Sequence, residues 1–183
     1  MNNKAYNLKN YSFSKGEQIL LDTNIWLYLY PAPVNPCSLF AGQYSAAFKK
    51  LIEAEAQPVI DPLVLGEYLN RYCRIIYNAK YKEKFKEYKT FRQSKNFAAI
   101  AEDATSFARE ILAFCQRHSL PANELDLPLA LTDFKQGKLD FTDSLLLDIC
   151  KKKNLKLMTN DSDFRHSDIT VLTTNPRLLR PHS

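Results

Sequence analysis

Short apolar runs that end in polar turns constrain the fold of this chain more than any other feature. They predict buried strands at 18–21, 58–60, 155–159 and 169–172. The segments between these runs have helical spacing, and strands that alternate with helices favour a parallel sheet covered on both faces. The sequence therefore predicts an α/β protein with three α/β/α layers around a central parallel sheet of four to five short strands.

The predicted helices follow from apolar stripes and from one clear start signal. Apolar stripes predict helices at 25–30, 44–56, 96–118 and 141–153. The dipeptide Asp61-Pro62 predicts a further helix start, with the aspartate as N-cap and the proline in the first turn. This helix is expected to run past Glu67 to Tyr77 and on through a basic segment to Phe91.

Two segments lack a clear period. Residues 1–17 are polar and aromatic, and they are expected to form an N-terminal extension that lies on the surface. Residues 119–137 contain two prolines and are expected to be mostly connection, in which 125–127 could add a short strand.

Composition limits the classes of protein to which the chain can belong. A length of 183 residues, with 45% hydrophobic and 25% charged residues, suits one globular domain over 1–183. With 4 glycines and no glycine-rich phosphate loop, the sequence argues against a nucleotide-binding fold. The polar N-terminus and the short, interrupted apolar stretch at 19–30 predict neither a signal peptide nor a membrane span.

The cysteines and histidines argue against a disulfide framework and against a zinc site. The four cysteines, Cys37, Cys73, Cys115 and Cys150, lie far apart and form no C-x-x-C pair. The 3 histidines also lack metal-ligand spacing. This pattern predicts reduced thiols in a cytoplasmic protein.

Four acidic residues lie where an apolar run meets a polar turn or near the start of a predicted helix. They are Asp22, Glu67, Asp143 and Asp161. Ligands of open parallel sheets bind beyond the carboxyl ends of the strands, and all four side chains can reach one pocket there. Converging carboxylates repel each other, and a hard divalent cation relieves that repulsion. The pattern therefore predicts a Mg²⁺ or Mn²⁺ site and phosphate chemistry.

Each of these acids has an ordinary structural interpretation when it is considered alone. Asp22 and Asp143 suit the first turn of a helix, and Asp161 suits a turn. Glu67 could be a plain helical glutamate. The order of all four at the ends of the predicted elements favours the metal site over these separate interpretations.

Charge is unevenly distributed along a chain whose net charge is +5. Residues 71–95 contain nine basic and two acidic residues, whereas 102–148 contains nine acidic and four basic residues. A basic arm beside an acidic pocket fits a protein that holds a polyanion and cuts it with metal. The candidate nucleic-acid-binding residues are Arg71, Arg74, Lys80, Lys82, Lys84, Lys86, Lys89 and Arg92.

The ordered set of acidic motifs resembles the PIN-domain ribonuclease family, which includes the VapC-like toxins of type II toxin–antitoxin systems. The resemblance rests on Leu21-Asp22-Thr23-Asn24, Leu65-Gly66-Glu67, Asp140-Phe141-Thr142-Asp143 and Thr159-Asn160-Asp161-Ser162-Asp163-Phe164. These stretches frame the chain from about residue 18 to residue 172. The chain departs from compact PIN toxins in its extra length, which is expected to form a helical insertion at about 78–118.

The resemblance implies a role for each matching residue. Asp22, Glu67, Asp143 and Asp161 would be catalytic and would hold one or two Mg²⁺ or Mn²⁺ ions. Asp163 would be an auxiliary metal ligand, Asn24 and Thr159 would hydrogen-bond the carboxylates, and Asp140 could face the same pocket. The implied activity is metal-dependent hydrolysis of RNA that leaves 5′-phosphate ends. The implied partners are an RNA substrate, a cognate antitoxin protein and a second copy of the chain in a homodimer.

Other interpretations stay open from the sequence. A non-catalytic RNA-binding or scaffold protein on a PIN-like fold is the main alternative, although a complete set of acids argues against it. A haloacid dehalogenase phosphatase needs a second acid two residues after its first, where this chain has Asn24. A structure-specific DNA nuclease usually needs more acids and a longer chain. The basic segment could bind RNA through lysines and stacked aromatics, dock an antitoxin, or be a solvated helix face.

Overall fold

The structure is a computed structural model that describes residues 4–34 and 39–180. Cys37 therefore lies outside the described residues. Cys73, Cys115 and Cys150 are buried free thiols, as expected from their spacing.

Within residues 4–34 and 39–180, six parallel strands form one sheet, which is one strand more than the upper number predicted. They are β1 (Ala5–Asn7), β2 (Gln18–Leu21), β3 (Gln57–Ile60), β4 (Gln116–Arg117), β5 (Lys156–Met158) and β6 (Val171–Thr173). Their order across the sheet is β1-β6-β5-β2-β3-β4, and every neighbouring pair is parallel. The predicted α/β fold with a central parallel sheet is confirmed.

Helices connect the strands and complete the three layers. They are α1 (Thr23–Leu29), α2 (Leu39–Glu53), α3 (Pro62–Ile76), α4 (Tyr88–Arg92), α5 (Lys95–Phe114), α6 (Leu127–Lys135), α7 (Phe141–Lys153) and α8 (Pro176–Leu179). The start of α3 is as predicted, because the Asp61 carboxylate accepts a hydrogen bond from the Leu63 amide at 2.8 Å. Within the described ranges, no helix combines the length and hydropathy needed to cross a membrane.

The path of the chain places a crevice at the middle of the sheet. The chain moves outward from β2 to β3 and β4, and it then returns to add β5 and β6 on the other side of β2. Because parallel crossovers are right-handed, connections that run in opposite directions lie on opposite faces of the sheet. The direction reverses between β2 and β5, which makes the carboxyl ends of these two strands the expected ligand site.

The N-terminal segment was predicted to be a surface extension, but part of it belongs to the sheet. Ala5, Tyr6 and Asn7 pair in parallel with Val171, Leu172 and Thr173 and so form the edge strand β1. Leu8, the next residue, is 2% exposed in the core. This strand is stabilised by its backbone pairing with β6. A local pattern in three residues does not indicate such pairing, so the sequence did not predict it.

The predicted continuous helix from Pro62 to Phe91 is wrong. The α-helix ends at Ile76, a π-helical turn covers Tyr77–Tyr81, and extended backbone at Glu87 precedes α4. On one straight helix the aromatic rings of this segment would share a single stripe. The break instead lets Phe91, which is fully buried, contact Tyr77, Tyr81, Phe85 and Tyr88 at centroid distances of 5.0–5.9 Å.

The segment 119–137 also differs from its prediction, because it contains helix α6 in place of a strand at 125–127. The Asp126 carboxylate caps this helix by accepting a hydrogen bond from the Leu129 amide at 3.0 Å. Pro128 lies in the first turn, where its missing N–H leaves no helical hydrogen bond unmade. Pro128 therefore marks the start of α6, whereas Pro121 precedes a short 3₁₀ turn at Ala122–Glu124.

Tyr44 of α2 ties that helix to the strand ends that carry the candidate site. Its hydroxyl lies 3.0 Å from the Thr159 carbonyl oxygen and 3.2 Å from the Thr173 hydroxyl, and it accepts a hydrogen bond from the Thr174 amide at 3.2 Å. The side chain is fully buried. These hydrogen bonds hold the carboxyl ends of β5 and β6 in place.

Tyr44→Phe is expected to lower the free energy of unfolding by about 1–3 kcal/mol, because it leaves several buried polar groups without their partner. Urea denaturation followed by circular dichroism measures this loss. Tyr6→Phe is the matched control, because Tyr6 is 51% exposed and its hydroxyl bonds no described residue. Equal stabilities of the two variants would contradict the prediction.

Candidate active site

Asp22 lies at the centre of the site, directly after strand β2. It is 5% exposed and forms the N-cap of α1. Its Oδ1 atom accepts a hydrogen bond from the Thr23 amide at 2.6 Å. Its Oδ2 atom accepts one from the Asn24 side-chain amide at 2.5 Å and one from the Thr159 hydroxyl at 2.6 Å. Neutral donors thus orient both carboxylate oxygens.

Asn24 and Thr159 link the ends of β2 and β5, as the resemblance implied for residues that support the carboxylates. The Asn24 amide also reaches the Thr159 hydroxyl at 3.2 Å, and its oxygen accepts from the Asn160 amide at 3.1 Å. The Thr159 hydroxyl in turn accepts a hydrogen bond from the Asp161 amide at 3.0 Å. A single network therefore positions Asp22 and the turn that contains Asp161.

Glu67 extends from α3 toward the same place, and two residues hold it. The Thr23 hydroxyl donates to its Oε2 atom at 3.0 Å, and the Arg71 guanidinium donates to its Oε1 atom at 3.1 Å. Thr23 was not among the predicted site residues. Its position after Asp22 gave no separate signal, since its contact with Glu67 spans two helices and appears only in three dimensions.

Asp140 and Asp143 come from the start of α7. Asp140 is the N-cap residue but makes no side-chain capping hydrogen bond, and Asp143 lies in the first turn. Among the described residues, no donor meets the carboxylate of Asp143, which is half-buried. The charges that act on this carboxylate are those of other carboxylates, so either a proton or a cation would stabilise it.

Asp161 and Asp163 lie on the turn after β5, where the 3₁₀ segment Ser162–His166 begins. The Asp161 carboxylate accepts a hydrogen bond from the Asp163 amide at 3.0 Å. Asp163 itself is exposed and does not line the cavity described next. Of the predicted ligands, Asp163 is the one that the structure places at the margin of the site.

A cavity of about 360 Å³ joins these side chains. The predicted residues on its wall are Asp22, Asn24, Glu67, Arg71, Asp140, Asp143 and Asp161, and the wall also includes Phe134, Phe141 and Thr142. Arg71 is the one basic residue among these lining residues. The sequence thus identified most of the polar wall, whereas Phe134 of α6 was not predicted.

Burial and mutual repulsion change the protonation of the central carboxylates. Burial, reinforced by the charges of Glu67 and Asp161, raises the pKa of Asp22 to about 6, although hydrogen bonds from Thr159 and Thr23 oppose the rise. Burial also raises the pKa of Asp143 to about 7, with further contributions from Asp22, Asp161, Glu67 and Asp140. These carboxylates are therefore close enough to repel one another.

The donor set fits a hard divalent cation. The charged metal-binding groups among the lining residues are carboxylates, and the lining includes no histidine or cysteine. Such a set of oxygen ligands favours Mg²⁺ or Mn²⁺ over zinc. Within the described ranges, no three acidic, histidine or cysteine side chains already stand at the separations of a formed metal site. Uncompensated carboxylates repel each other, so an ion would draw these side chains together within the cavity.

The basic segment lies beside the site only in part. Arg71 reaches the cavity, and Arg74 lies over the ring of Tyr88 at 4.4 Å. The remaining candidates are exposed, namely Lys80, Lys82, Lys84, Lys86, Lys89 and Arg92. The aromatic residues of the segment pack against one another and around Phe91, which favours a structural role for these rings, and RNA binding by the segment stays a prediction.

The fold and the site together define a doubly wound α/β protein with an acidic cavity at the reversal point of a parallel sheet. The chain belongs to the PIN domain family, since the model of that family matches residues 19–169. Curated proteins give no match to this sequence.

Two solved structures share the fold. One is VapBC2 from Rickettsia felis, bound to a DNA fragment from their promoter, with 18% identity and a TM-score of 0.51; the match covers 86% of this chain and 98% of that chain. The other is VapC20 from Mycobacterium tuberculosis, described as a sarcin–ricin loop cleaving toxin, with 15% identity and a TM-score of 0.52. That match covers 82% of this chain and 95% of the toxin. At such identities the likeness concerns the fold alone.

The raised pKa of Asp143 predicts that Asp143→Asn stabilises the metal-free protein, and that the increase in stability depends on pH. Folded protein binds this proton more tightly than the unfolded chain, so the associated stability is present at low pH and lost as pH rises through about 7. At pH 8 in EDTA, the substitution should therefore raise the melting temperature by roughly 2–4 °C, which corresponds to about 1 kcal/mol. At pH 5 the gain in melting temperature should be less than half as large, because folded protein still binds the proton there.

Asp103→Asn is the control, because Asp103 of α5 is exposed and forms no ion pair with a described residue. Its melting temperature should follow that of the parent protein at both pH values. A gain from Asp143→Asn that is as large at pH 5 as at pH 8 would contradict the ionisation of Asp143 as the cause.

Proposed function

We propose that this protein is a metal-dependent endoribonuclease that hydrolyses RNA phosphodiester bonds with Mg²⁺ or Mn²⁺, and that it is the toxin of a toxin–antitoxin pair. The observation that carries the proposal is the convergence of Asp22, Glu67, Asp143 and Asp161 on one cavity at the reversal point of the sheet. Membership of the PIN domain family supports nuclease chemistry at this place.

These four residues would hold the ion, with Asp163 as an auxiliary ligand at the margin and Asp140 on the cavity wall. When bound, Mg²⁺ or Mn²⁺ supplies positive charge to a scissile phosphate and lowers the pKa of a water molecule. Asn24 and Thr159 keep the oxygens of Asp22 oriented toward the cavity through their hydrogen bonds. A fixed carboxylate needs little reorganisation when the ion and the substrate arrive.

Arg71 has a second role in this proposal, as the basic group nearest to the reacting phosphate. Its guanidinium contacts one oxygen of Glu67, while Thr23 holds the other oxygen. Arg71 can therefore turn toward a phosphate without releasing Glu67 from its position. A guanidinium also suits the bidentate recognition of phosphate oxygens.

The exposed bases of the segment 71–95 would contact RNA phosphates away from the cavity. Lys80, Lys82, Lys84, Lys86, Lys89 and Arg92 are all exposed on one local region of the chain. Because their aromatic neighbours are packed together, these contacts would be electrostatic and independent of RNA sequence.

An antitoxin partner and a homodimer are further parts of the proposal. Both structural neighbours described above are toxins of the VapC type or their complexes. Helix α6 presents Leu127, Leu131 and Phe134, which are 39–59% exposed and share one face beside the cavity. Protein partners commonly cover apolar faces of this kind. The buried free thiols support the proposed cytoplasmic location.

Cleavage of RNA by the purified protein tests the proposed activity. Labelled total RNA should be cut at defined sites in the presence of Mg²⁺ or Mn²⁺ and left intact in EDTA. Asp22→Asn should lower the cleavage rate at least about 100-fold, because the central ligand loses its charge. Asp103→Asn should cleave like the parent protein. Tight RNA binding without cleavage in either metal would favour a non-catalytic RNA-binding protein instead.

Removal of the hydroxyl that holds Asp22 should weaken metal binding without removing a ligand. Thr159→Val leaves one oxygen of Asp22 without its 2.6 Å donor, and we expect Mn²⁺ affinity to fall about 10- to 100-fold. Isothermal titration calorimetry with Mn²⁺ measures the change. Thr170→Val is the matched control, since the Thr170 hydroxyl forms no hydrogen bond with a described residue. Unchanged Mn²⁺ affinity in Thr159→Val would show that this network does not support the ion.

A further inference from the structure

A second and larger concavity adjoins the candidate active site and has no role in the proposal so far. Its volume is about 620 Å³, and it shares Asn24 and Asp161 with the acidic cavity. We call it the arginine groove, defined by Tyr28, Phe40, Asn160, Asn175, Arg177 and Arg180. A ligand that fills both concavities would pass over the shared wall between them.

The charge of this groove is opposite to that of the active site. Arg177 and Arg180 are exposed on its rim. Neither arginine forms an ion pair with a described residue, and Asp161 on the shared wall is the one acid among the lining residues. Two uncompensated guanidinium groups beside a carboxylate cavity suit a polyanion that extends away from the metal site.

The groove is rigid where it meets the active site. The Asn160 side-chain amide donates to the Tyr28 hydroxyl at 3.0 Å, and the Asn175 side-chain amide donates to the Asn160 carbonyl at 2.7 Å. The Arg177 amide donates to the Asn175 side-chain oxygen at 2.9 Å. Because Asn160 follows Thr159 directly, the same turn carries the groove and the network around Asp22.

Two aromatic rings complete the groove. Tyr28 stacks on buried Tyr44 with an interplanar angle of 7° and a centroid distance of 5.5 Å, which fixes its position. Phe40 lies 6.1 Å from Tyr28 between ring centroids. Both rings are half-buried, so each presents part of its surface to the groove. Proteins that bind single-stranded nucleic acids commonly stack unpaired bases on aromatic rings and contact the phosphates with arginines.

We propose that the arginine groove binds the nucleotides of single-stranded RNA that flank the scissile phosphodiester. Arg177 and Arg180 contact phosphates, and Tyr28 and Phe40 contact an unpaired base. This inference rests on the proposed ribonuclease function, and it adds the place where the flanking nucleotides bind and the direction in which the strand leaves the active site. Paired RNA would hold its bases inside the duplex and leave the rings without a partner.

Binding of a labelled RNA at several salt concentrations tests the groove. The probe is a 12-nucleotide single-stranded RNA with a fluorescein label, measured by fluorescence polarisation with Asp22→Asn protein in Mn²⁺, so that it is not cut. Arg177→Ala/Arg180→Ala should weaken binding about tenfold or more and reduce the log–log salt slope by about 1.4, because two phosphate contacts are lost. Phe40→Leu should weaken binding about fivefold or more without changing the salt slope.

The matched control is Arg117→Ala/Lys153→Ala, which removes the same charge elsewhere. Arg117 lies on edge strand β4, and Lys153 ends α7. Both are exposed and form no ion pair with a described residue. This control should bind the RNA within about twofold of the parent. Thermal melts of the two double variants should agree with that of the parent, since the side chains that they change are exposed.

A small phosphodiester separates failure of the groove from failure of the proposed function. Bis(p-nitrophenyl) phosphate contains a single phosphodiester for the acidic cavity and no flanking phosphate for the arginines to contact. Arg177→Ala/Arg180→Ala, made in protein that retains Asp22, should hydrolyse it with Mn²⁺ at the parent rate. Loss of RNA binding with this hydrolysis intact supports the proposal.

The other outcomes overturn the groove assignment. RNA binding equal to the parent would remove the groove as an RNA site and leave the nuclease function standing. Loss of bis(p-nitrophenyl) phosphate hydrolysis would show that the arginines act on the active site itself. A parent protein that binds no RNA would also overturn it, and hydrolysis of the small phosphodiester would then decide whether phosphodiesterase activity remains.

Discussion

The burial of the Asp22 carboxylate at the end of the central strand is the constraint on which the rest of the site depends. A buried carboxylate is costly unless donors or cations meet it. In this protein three donors meet it, from Thr23, Asn24 and Thr159, and none of them carries a charge. The hydrogen bonds fix both oxygens but leave the negative charge uncompensated, so the site keeps a net attraction for a cation from outside.

The topology of the sheet explains why the other carboxylates gather at the same place. Strands β2 and β5 are neighbours although they are far apart along the chain, and the direction of the connections reverses between them. The turn after each strand and the start of α7 therefore face one crevice. Glu67 reaches it from within α3, where Thr23 at the start of α1 holds it. Asp22, Glu67, Asp143 and Asp161 come from four different places in the chain, so no short segment could form the site alone.

Local patterns made part of this arrangement predictable from the sequence. Asp22 and Asp161 follow apolar runs, and Asp143 opens a helix, so their approach to one edge follows from the parallel sheet. The contact between Thr23 and Glu67 was not predictable, because it depends on how α1 packs against α3. Strands β1 and β4 have only three and two residues, and neither lies in an apolar run like those that predicted β5 and β6.

The basic segment and the arginine groove show how differently charge along the chain and charge in space can be predicted from the sequence. Residues 71–95 stood out by composition, yet their aromatics serve to pack the chain around Phe91. Arg177 and Arg180 gave no local signal, because their importance comes from lying across the turn that carries Asn160 and Asp161. Composition detects charge that is concentrated along the chain, whereas a binding groove concentrates charge in space.

The repulsion among the carboxylates links the stability of the protein to its chemistry. Burial, together with the charges of the neighbouring carboxylates, raises the pKa values of Asp22 and Asp143, and both effects oppose folding once these groups ionise. The same charges supply the affinity for a cation, which stabilises the folded state in proportion to the logarithm of its concentration over its dissociation constant. Because neutral donors already orient Asp22, cation binding does not have to include the free-energy cost of ordering the central ligand. The folded protein is therefore least stable when it is metal-free at neutral or alkaline pH, and a cation stabilises it most under that condition.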